Sequence, residues 1–140
     1  MKELVLGGAR SGKSAVAERR ALELGLATVY IATAEARDSE MAARIAAHRA
    51  KRSTEWGVVE EPVMLARALL DHARPDRCVI VDCLTLWLAN VLGRDIDPNA
   101  DAGPIAAPTF ERERAALLDA IPRLKGEIIL VSNEVGMGIV

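Results

Sequence analysis

An α/β sandwich, a mostly parallel sheet with helices on both faces, is the architecture this sequence predicts, on three observations. Residues 7–14 read Gly-Gly-Ala-Arg-Ser-Gly-Lys-Ser, a G-x-x-x-x-G-K-[ST] phosphate-binding loop set between the apolar run Leu4-Val5-Leu6 and a helical pattern from Ala15 to Leu24. Strand-like and helix-like segments then alternate along the chain, as βα units of a parallel sheet do. Cys78-Val79-Ile80-Val81 is a continuous apolar run, expected of a parallel strand buried on both faces. These features predict a P-loop NTPase-like (RecA-like) fold spanning residues 1–140 as a single nucleotide-binding domain, with ligands at the carboxyl ends of the strands.

The elements follow in order. Lys2–Leu6 is the first expected strand, and Lys13–Leu24 a helix carrying Ala15, Val16, Ala17, Leu22 and Leu24, closed by Gly25. Ala27–Ala32 is a second strand, with Val29, Tyr30 and Ile31 of the types that suit a sheet. Asp38 is a candidate N-cap for a helix to about Arg52, and Val63–Ala73 is expected to form a helix after Pro62. The apolar run Cys78–Val81 ends at Asp82, and an amphipathic helix is expected over Leu84–Leu92. Residues 93–109, with Gly93, Pro98, Gly103, Pro104 and Pro108, lack an apolar period and are expected to form a long loop. Glu111–Leu124 is helical until Pro122 ends or kinks it, and Glu127–Ser132 is the last strand.

Composition excludes several function classes. The chain has 140 residues, 51% hydrophobic and 27% charged, enough for one compact domain with its own core. A net charge of −2 provides no bulk positive field for nucleic acid or anionic lipid, and an aromatic content of 3% argues against a base-stacking surface. The start Met1-Lys2-Glu3 lacks the long apolar segment of a signal peptide, and no apolar stretch is long enough to span a bilayer. A cytoplasmic enzyme with no nucleic-acid partner and no membrane span is the expectation. Cys78 and Cys83 have no metal-ligand spacing and are expected to be buried free thiols.

The chemistry needs these residue types at these spacings. Gly7 and Gly12 allow backbone angles that turn loop N–H groups inward around phosphates. Lys13 can then reach the β and γ oxygens, Ser14 offers its hydroxyl to Mg²⁺, and the helix points its positive end at the anion. Asp82, at the end of an apolar strand, suits a Mg²⁺ ligand beside that loop, or alternatively a cap for the helix near Leu84. Arg44, His48 and Arg52 share one helical stripe. Flanking cations favour a neutral, nucleophilic imidazole at His48, although such a pattern taken bare is usually a solvated helix face. Asn133 and Glu134, after the last strand, belong to the rim of Lys13 and Asp82, as ligand contacts or as a plain turn.

Several separate segments together resemble one family, the bifunctional adenosylcobinamide kinase/adenosylcobinamide-phosphate guanylyltransferase of cobalamin biosynthesis. They are the 7–14 loop, Tyr30-Ile31-Ala32-Thr33-Ala34, Glu40-Met41-Ala42-Ala43-Arg44-Ile45 leading to His48-Arg49, the later Arg52, Trp56 and Glu60, Asp82-Cys83-Leu84-Thr85, and Ser132-Asn133-Glu134-Val135-Gly136-Met137-Gly138. The resemblance implies γ-phosphoryl transfer from ATP or GTP to adenosylcobinamide, followed by GMP transfer from GTP to adenosylcobinamide phosphate. It implies His48 as the covalent GMP carrier, with Lys13 catalytic beside it, Mg²⁺ held by Ser14 and Asp82, and a homo-oligomer. It also implies nucleotide contacts at Gly7, Gly8, Ala9, Arg10, Ser11, Gly12, Lys13 and Ser14, at Ala32, Thr33 and Ala34, at Arg49, Ala50, Lys51 and Arg52, and at Glu60 and Asp82. Family members continue past the Val-Gly-Met-Gly segment with a further helix and strands, so the expected domain lacks the C-terminal part of the family fold. Two other functions fit the residues alone: a small-molecule kinase whose His48 is surface, and a nucleotide-binding module without transfer chemistry.

Overall fold

The computed structural model describes residues 1–7, 12–34, 56–95 and 108–133. Its elements are β1 (Lys2–Gly7), α1 (Lys13–Leu24), β2 (Ala27–Ala32), β3 (Gly57–Glu60), α2 (Leu65–His72), β4 (Arg77–Asp82), α3 (Leu84–Asp95), α4 (Pro108–Ala120), a 3₁₀ turn at Ile121–Arg123, and β5 (Glu127–Asn133). Five strands form one sheet in the order β1-β5-β4-β2-β3, and every neighbouring pair is parallel. The expected P-loop NTPase-like α/β architecture is therefore present.

Strand alternation divides the core between the two faces of the sheet. Ile31, Val79, Val81 and Ile128 face a cluster that includes Leu65 and Leu69 of α2, Trp87 and Val91 of α3, and Leu117 of α4. Tyr30, Cys78, Ile80, Ile129 and Val131 form the other cluster with Ala17 and Ala21 of α1. Val79, Ile80 and Val81 are all fully buried, as the apolar run predicts for a strand covered on both sides. Of the apolar residues expected on α1, only Ala17 is buried, with Ala21 one turn later, while Val16, Leu22 and Leu24 are exposed. Two small side chains at i and i+4 let the helix backbone lie close to the sheet. Both cysteines are buried free thiols, as expected, and burial, reinforced by Glu127 and Glu3, pushes the Cys78 thiol up to about 11.

Most elements match their expected bounds within a residue or two, and the exceptions have identifiable causes. β3 was not foreseen: its only apolar residues are Val58 and Val59, too short a run to stand out. α2 starts at Leu65 rather than Val63 because one Glu61 carboxylate oxygen accepts the N–H groups of Val63 (3.1 Å) and Met64 (3.0 Å), holding them in the preceding turn. α3 runs on to Asp95, beyond Leu92 and through Gly93, and α4 begins at Pro108, so both ends of the expected 93–109 loop are helical. Pro at the first position of α4 supplies a fixed φ where no intrahelical N–H bond is needed. Pro122 ends α4 in the short 3₁₀ turn. The expected helix from Asp38 to Arg52 lies outside the described residues.

Two tight features set the inter-element geometry. Gly126, before β5, has φ 85°, and a Cβ built there would lie 2.0 Å from the Arg74 carbonyl oxygen and 2.6 Å from that of Arg77. The turn between α2 and β4 thus rests on the turn that starts β5. Asp95, the last residue of α3, accepts the backbone N–H groups of Thr109 (2.9 Å) and Phe110 (3.0 Å) in the first turn of α4. Burial acts to raise the Asp95 carboxyl, but the two amides of Phe110 and Thr109, with help from Arg112, outweigh it and hold it below its ordinary value.

Gly126→Ala is expected to destabilise the fold by roughly 2–5 kcal/mol, the sum of a left-handed φ and a backbone clash; a urea titration with an unshifted midpoint would contradict the packing described. The Asp95 bonds make a pH prediction. Because the folded carboxyl titrates below its unfolded value of about 3.9, its contribution is complete above that pH and fades as pH falls through the folded value. Asp95→Asn should therefore melt lower than the parent at pH 7, and the two melting curves should converge in acid.

Candidate active site

An all-parallel sheet delivers every strand's carboxyl end to one rim, and here that rim collects the polar side chains. Asp82 is in register with Ala32, and Ala32 with Glu60, so β4, β2 and β3 present Asp82, Ala32 and Glu60 in one row. At a strand spacing of about 4.8 Å, the Asp82 and Glu60 backbones stand roughly 10 Å apart. On the other side of Asp82, Val131 of β5 is its partner, and two residues further on Asn133 pairs with Gly7 at the end of β1. The chain leaving Gly7 re-enters at Gly12, whose φ of 75° is open to glycine and whose carbonyl accepts the Val16 N–H at 3.1 Å to start α1. Among the described residues no side chain caps this helix start. Lys13, the first helical residue, is 8% exposed.

Lys13 stands one turn before Ala17, which packs in the same buried cluster as Cys83, the residue after Asp82. Burial raises the Cys83 thiol, the Leu86 amide opposes that, the Asp82 carboxylate raises it further, and the Thr85 amide and Lys13 ammonium lower it. The net direction is upward, so Cys83 is a thiol rather than a thiolate at neutral pH. Cys83 also takes part in the start of α3. Its Sγ accepts the Leu86 N–H at 3.4 Å and its carbonyl accepts the Trp87 N–H at 3.2 Å, so Cys83 holds the start of α3. The Asp82–Cys83 peptide bond is cis.

The Asp82 carboxylate accepts a hydrogen bond from the Tyr30 hydroxyl, which rises from the core on β2. Thr33, wholly buried just past β2, donates its hydroxyl to the Cys83 carbonyl (2.7 Å) and accepts the Cys83 N–H (2.8 Å). The Thr33 N–H continues the ladder to the Asp82 carbonyl at 3.1 Å. From α3, the Asn90 amide nitrogen donates to the carbonyls of Thr33 (2.7 Å) and Pro62 (3.1 Å). At the opposite end of the rim, the Thr85 hydroxyl accepts the Asn133 N–H at 2.9 Å and lies 3.3 Å from the Ser132 hydroxyl. The start of α3 is thereby joined to the ends of both β2 and β5.

The candidate residues thus divide. Gly7, Gly12, Lys13, Ala32, Thr33, Ala34, Glu60 and Asp82 lie along one rim. Ser14 stands in the first turn of α1, its side chain outside the description. Gly8, Ala9, Arg10, Ser11, His48, Arg49, Ala50, Lys51, Arg52 and Glu134 lie outside the described residues. Sequence reasoning assigned no role to Thr85 or Asn90, or to the hydroxyl of Tyr30. The available signal was a polar group amid apolar neighbours, Tyr30 in Val29-Tyr30-Ile31 and Asn90 in an amphipathic helix.

The parallel sheet, its flanking helices and the carboxyl rim define an α/β protein of the P-loop NTPase-like class. Comparison with known proteins narrows the class. The pattern of the family described as cobinamide kinase / cobinamide phosphate guanyltransferase matches residues 3–140. The bifunctional adenosylcobalamin biosynthesis protein CobP of Pseudomonas aeruginosa is 54% identical over 140 residues, covering 100% of this chain and 75% of the relative. Proteins named CobU, also described as bifunctional adenosylcobalamin biosynthesis proteins, match from Escherichia coli (38% identical) and Salmonella typhimurium (39%), each over 100% of this chain and 78% of its own length. The chain belongs to the cobinamide kinase / cobinamide phosphate guanyltransferase family, and is an enzyme of that kinase and guanylyltransferase class in adenosylcobalamin biosynthesis. No described helix is long and apolar enough to cross a membrane.

Proposed function

We propose that this chain runs both reactions through one nucleotide site on the carboxyl rim. In the first, the γ-phosphoryl group of ATP or GTP passes to the hydroxyl of adenosylcobinamide. In the second, a ring nitrogen of His48 attacks the α-phosphorus of GTP and pyrophosphate leaves. A phosphate oxygen of adenosylcobinamide phosphate then attacks the same phosphorus, and the P–N bond to His48 breaks to give adenosylcobinamide-GDP. The packing of α1 beside the end of β4 carries the reading, because Ala17, one turn after Lys13, shares a buried cluster with Cys83, the residue after Asp82, and so brings a cation and a carboxylate to the N-terminal end of α1, where a triphosphate would dock.

The residues divide the work by their chemistry. Phosphoryl transfer asks the protein mainly for position and charge compensation, which Lys13 and the amides at the start of α1 can supply. Mg²⁺ fits the donor set: in phosphate sites it takes one or two carboxylates together with phosphate oxygens, and Asp82 offers one hard oxygen ligand at the rim, with Ser14 assigned beside it. Bound there, Mg²⁺ would neutralise charge on the phosphates. Asp82 is pre-aimed by the Tyr30 hydroxyl. Glu60, two strands away, is assigned to the far end of the nucleotide, and Ala32 and Ala34 to the span between. Arg49, Lys51 and Arg52 are assigned to the triphosphate as it approaches His48, where they also favour the neutral imidazole needed for attack.

Incubation with GTP labelled at the α-phosphate tests this reading. The expected result is an acid-labile, base-stable label on the chain before any corrinoid is added. The label should vanish in His48→Ala, which should still phosphorylate adenosylcobinamide at a measurable rate. A label mapped to Lys13 or Lys51, or guanylyl transfer persisting in His48→Ala, would overturn the assignment. Nucleotide binding without label or transfer would favour a binding module, and phosphorylation alone a simple kinase.

A further inference from the structure

Resemblance assigns Thr33 to the nucleotide, but the structure spends its polar atoms on the protein. Its N–H goes to the Asp82 carbonyl (3.1 Å), its O–H to the Cys83 carbonyl (2.7 Å), and its hydroxyl oxygen takes the Cys83 N–H (2.8 Å). Its carbonyl takes a hydrogen from Asn90 (2.7 Å). Thr33 is wholly buried and has no donor hydrogen left for a ligand. Asn90 is engaged in the same way: its two amide hydrogens reach the Thr33 and Pro62 carbonyls, at 2.7 and 3.1 Å.

The location explains the need. Pairing of β2 with β3 stops at Ala32 and Glu60, extended only by the Glu61 N–H to the Ala32 carbonyl at 2.9 Å. Beyond that point the two chains leave the ladder, and the carbonyls of Thr33 and Pro62 need donors the sheet cannot supply. Pro62 has no N–H of its own to continue the pairing. Asn90 supplies both donors from one side chain on α3. The same helix follows directly on Cys83, whose backbone N–H and C=O are both bonded to the Thr33 hydroxyl. α3 is thus fastened to the β2 exit at its start by Thr33 and again, two turns later, by Asn90.

We propose that Thr33 and Asn90 are positioning residues for the metal–nucleotide complex. Thr33 fixes the backbone adjoining Asp82, and with it the direction of the Asp82 carboxylate. Asn90 fixes the exits of β2 and β3, and with them the spacing between Asp82 and Glu60. Neither side chain touches the ligand. This inference rests on the proposed role of Asp82 toward Mg²⁺.

Calorimetric titration of the full chain with GTP, in Mg²⁺ and separately in EDTA, tests the inference. Thr33→Val keeps the shape and removes the hydroxyl, whereas Thr33→Ser keeps the hydroxyl; Asn90→Ala removes both donors at a half-buried position. Thr33→Val and Asn90→Ala are expected to weaken Mg²⁺·GTP binding by about ten-fold or more, the usual scale for a group that orients a metal ligand. Binding in EDTA should change much less, and Thr33→Ser should restore the parental affinity. A merely structural role would lower the melting temperature and leave the ratio of the two affinities at its parental value, which would overturn the proposal. If Thr33→Val does not fold, Asn90→Ala decides by the same criterion. Asp82→Asn separates the two levels of the argument. Loss of the Mg²⁺ preference in Asp82→Asn but not in Thr33→Val or Asn90→Ala rejects the positioning role alone; retention in Asp82→Asn rejects the metal reading, and the positioning role with it.

Discussion

Parallel pairing of the strands is the constraint on which the rest depends. Because neighbouring strands run the same way, each chain exit falls on the same edge, and residues far apart in sequence become neighbours without any loop having to bring them together. Such a sheet is stable only when both faces are covered. Here the cover is unequal: α1 rests on two alanines, whereas α2, α3 and α4 bring large side chains to the opposite face. The thin contact suits the helix that carries Lys13, since small residues bring its N-terminus close to the end of β4.

At that rim the backbone ladder gives way to side chains. The Tyr30 hydroxyl, the Thr33 hydroxyl and the Asn90 amide each take over where strand pairing ends, and each reaches across fifty residues of sequence or more. Buried polar groups of this kind carry a desolvation cost unless every partner is present, so the network favours one arrangement of the chain exits over near alternatives. Cys83 is part of that arrangement. Raised and buried, its thiol acts as a helix cap rather than a nucleophile.

How much of this was legible in the sequence depended on how local the signal was. α1 matches its expected span residue for residue, because a glycine and a phosphate-loop lysine mark its start and Gly25 its end. β2 does so as well, and β4 and β5 exceed their expected runs by one residue at one end or both, since dense β-branched and apolar residues leave little doubt of a strand. β3 escaped because a short strand at the sheet margin has few residues with which to advertise itself, and the early end of the expected 93–109 loop escaped because Gly93 reads as a breaker while α3 continues through it. Lys13 and Asp82 could be assigned to one rim from motif and topology. The bonds that orient Asp82 could not, because nothing in the chain near Tyr30, Thr33 or Asn90 specifies a partner fifty residues away.

The central claim is that a triphosphate docks at the N-terminus of α1, between Lys13 and Asp82. Hydrogen exchange with and without Mg²⁺·GTP measures it directly, since the first amides of a helix lack intrahelical partners and exchange quickly unless a ligand engages them. The account predicts that Mg²⁺·GTP slows exchange at the backbone amides of Lys13, Ser14 and Ala15 by about ten-fold or more, while amides of α2 and α4 stay unchanged. Saturating Mg²⁺·GTP that left those three amides at their ligand-free rates would contradict it.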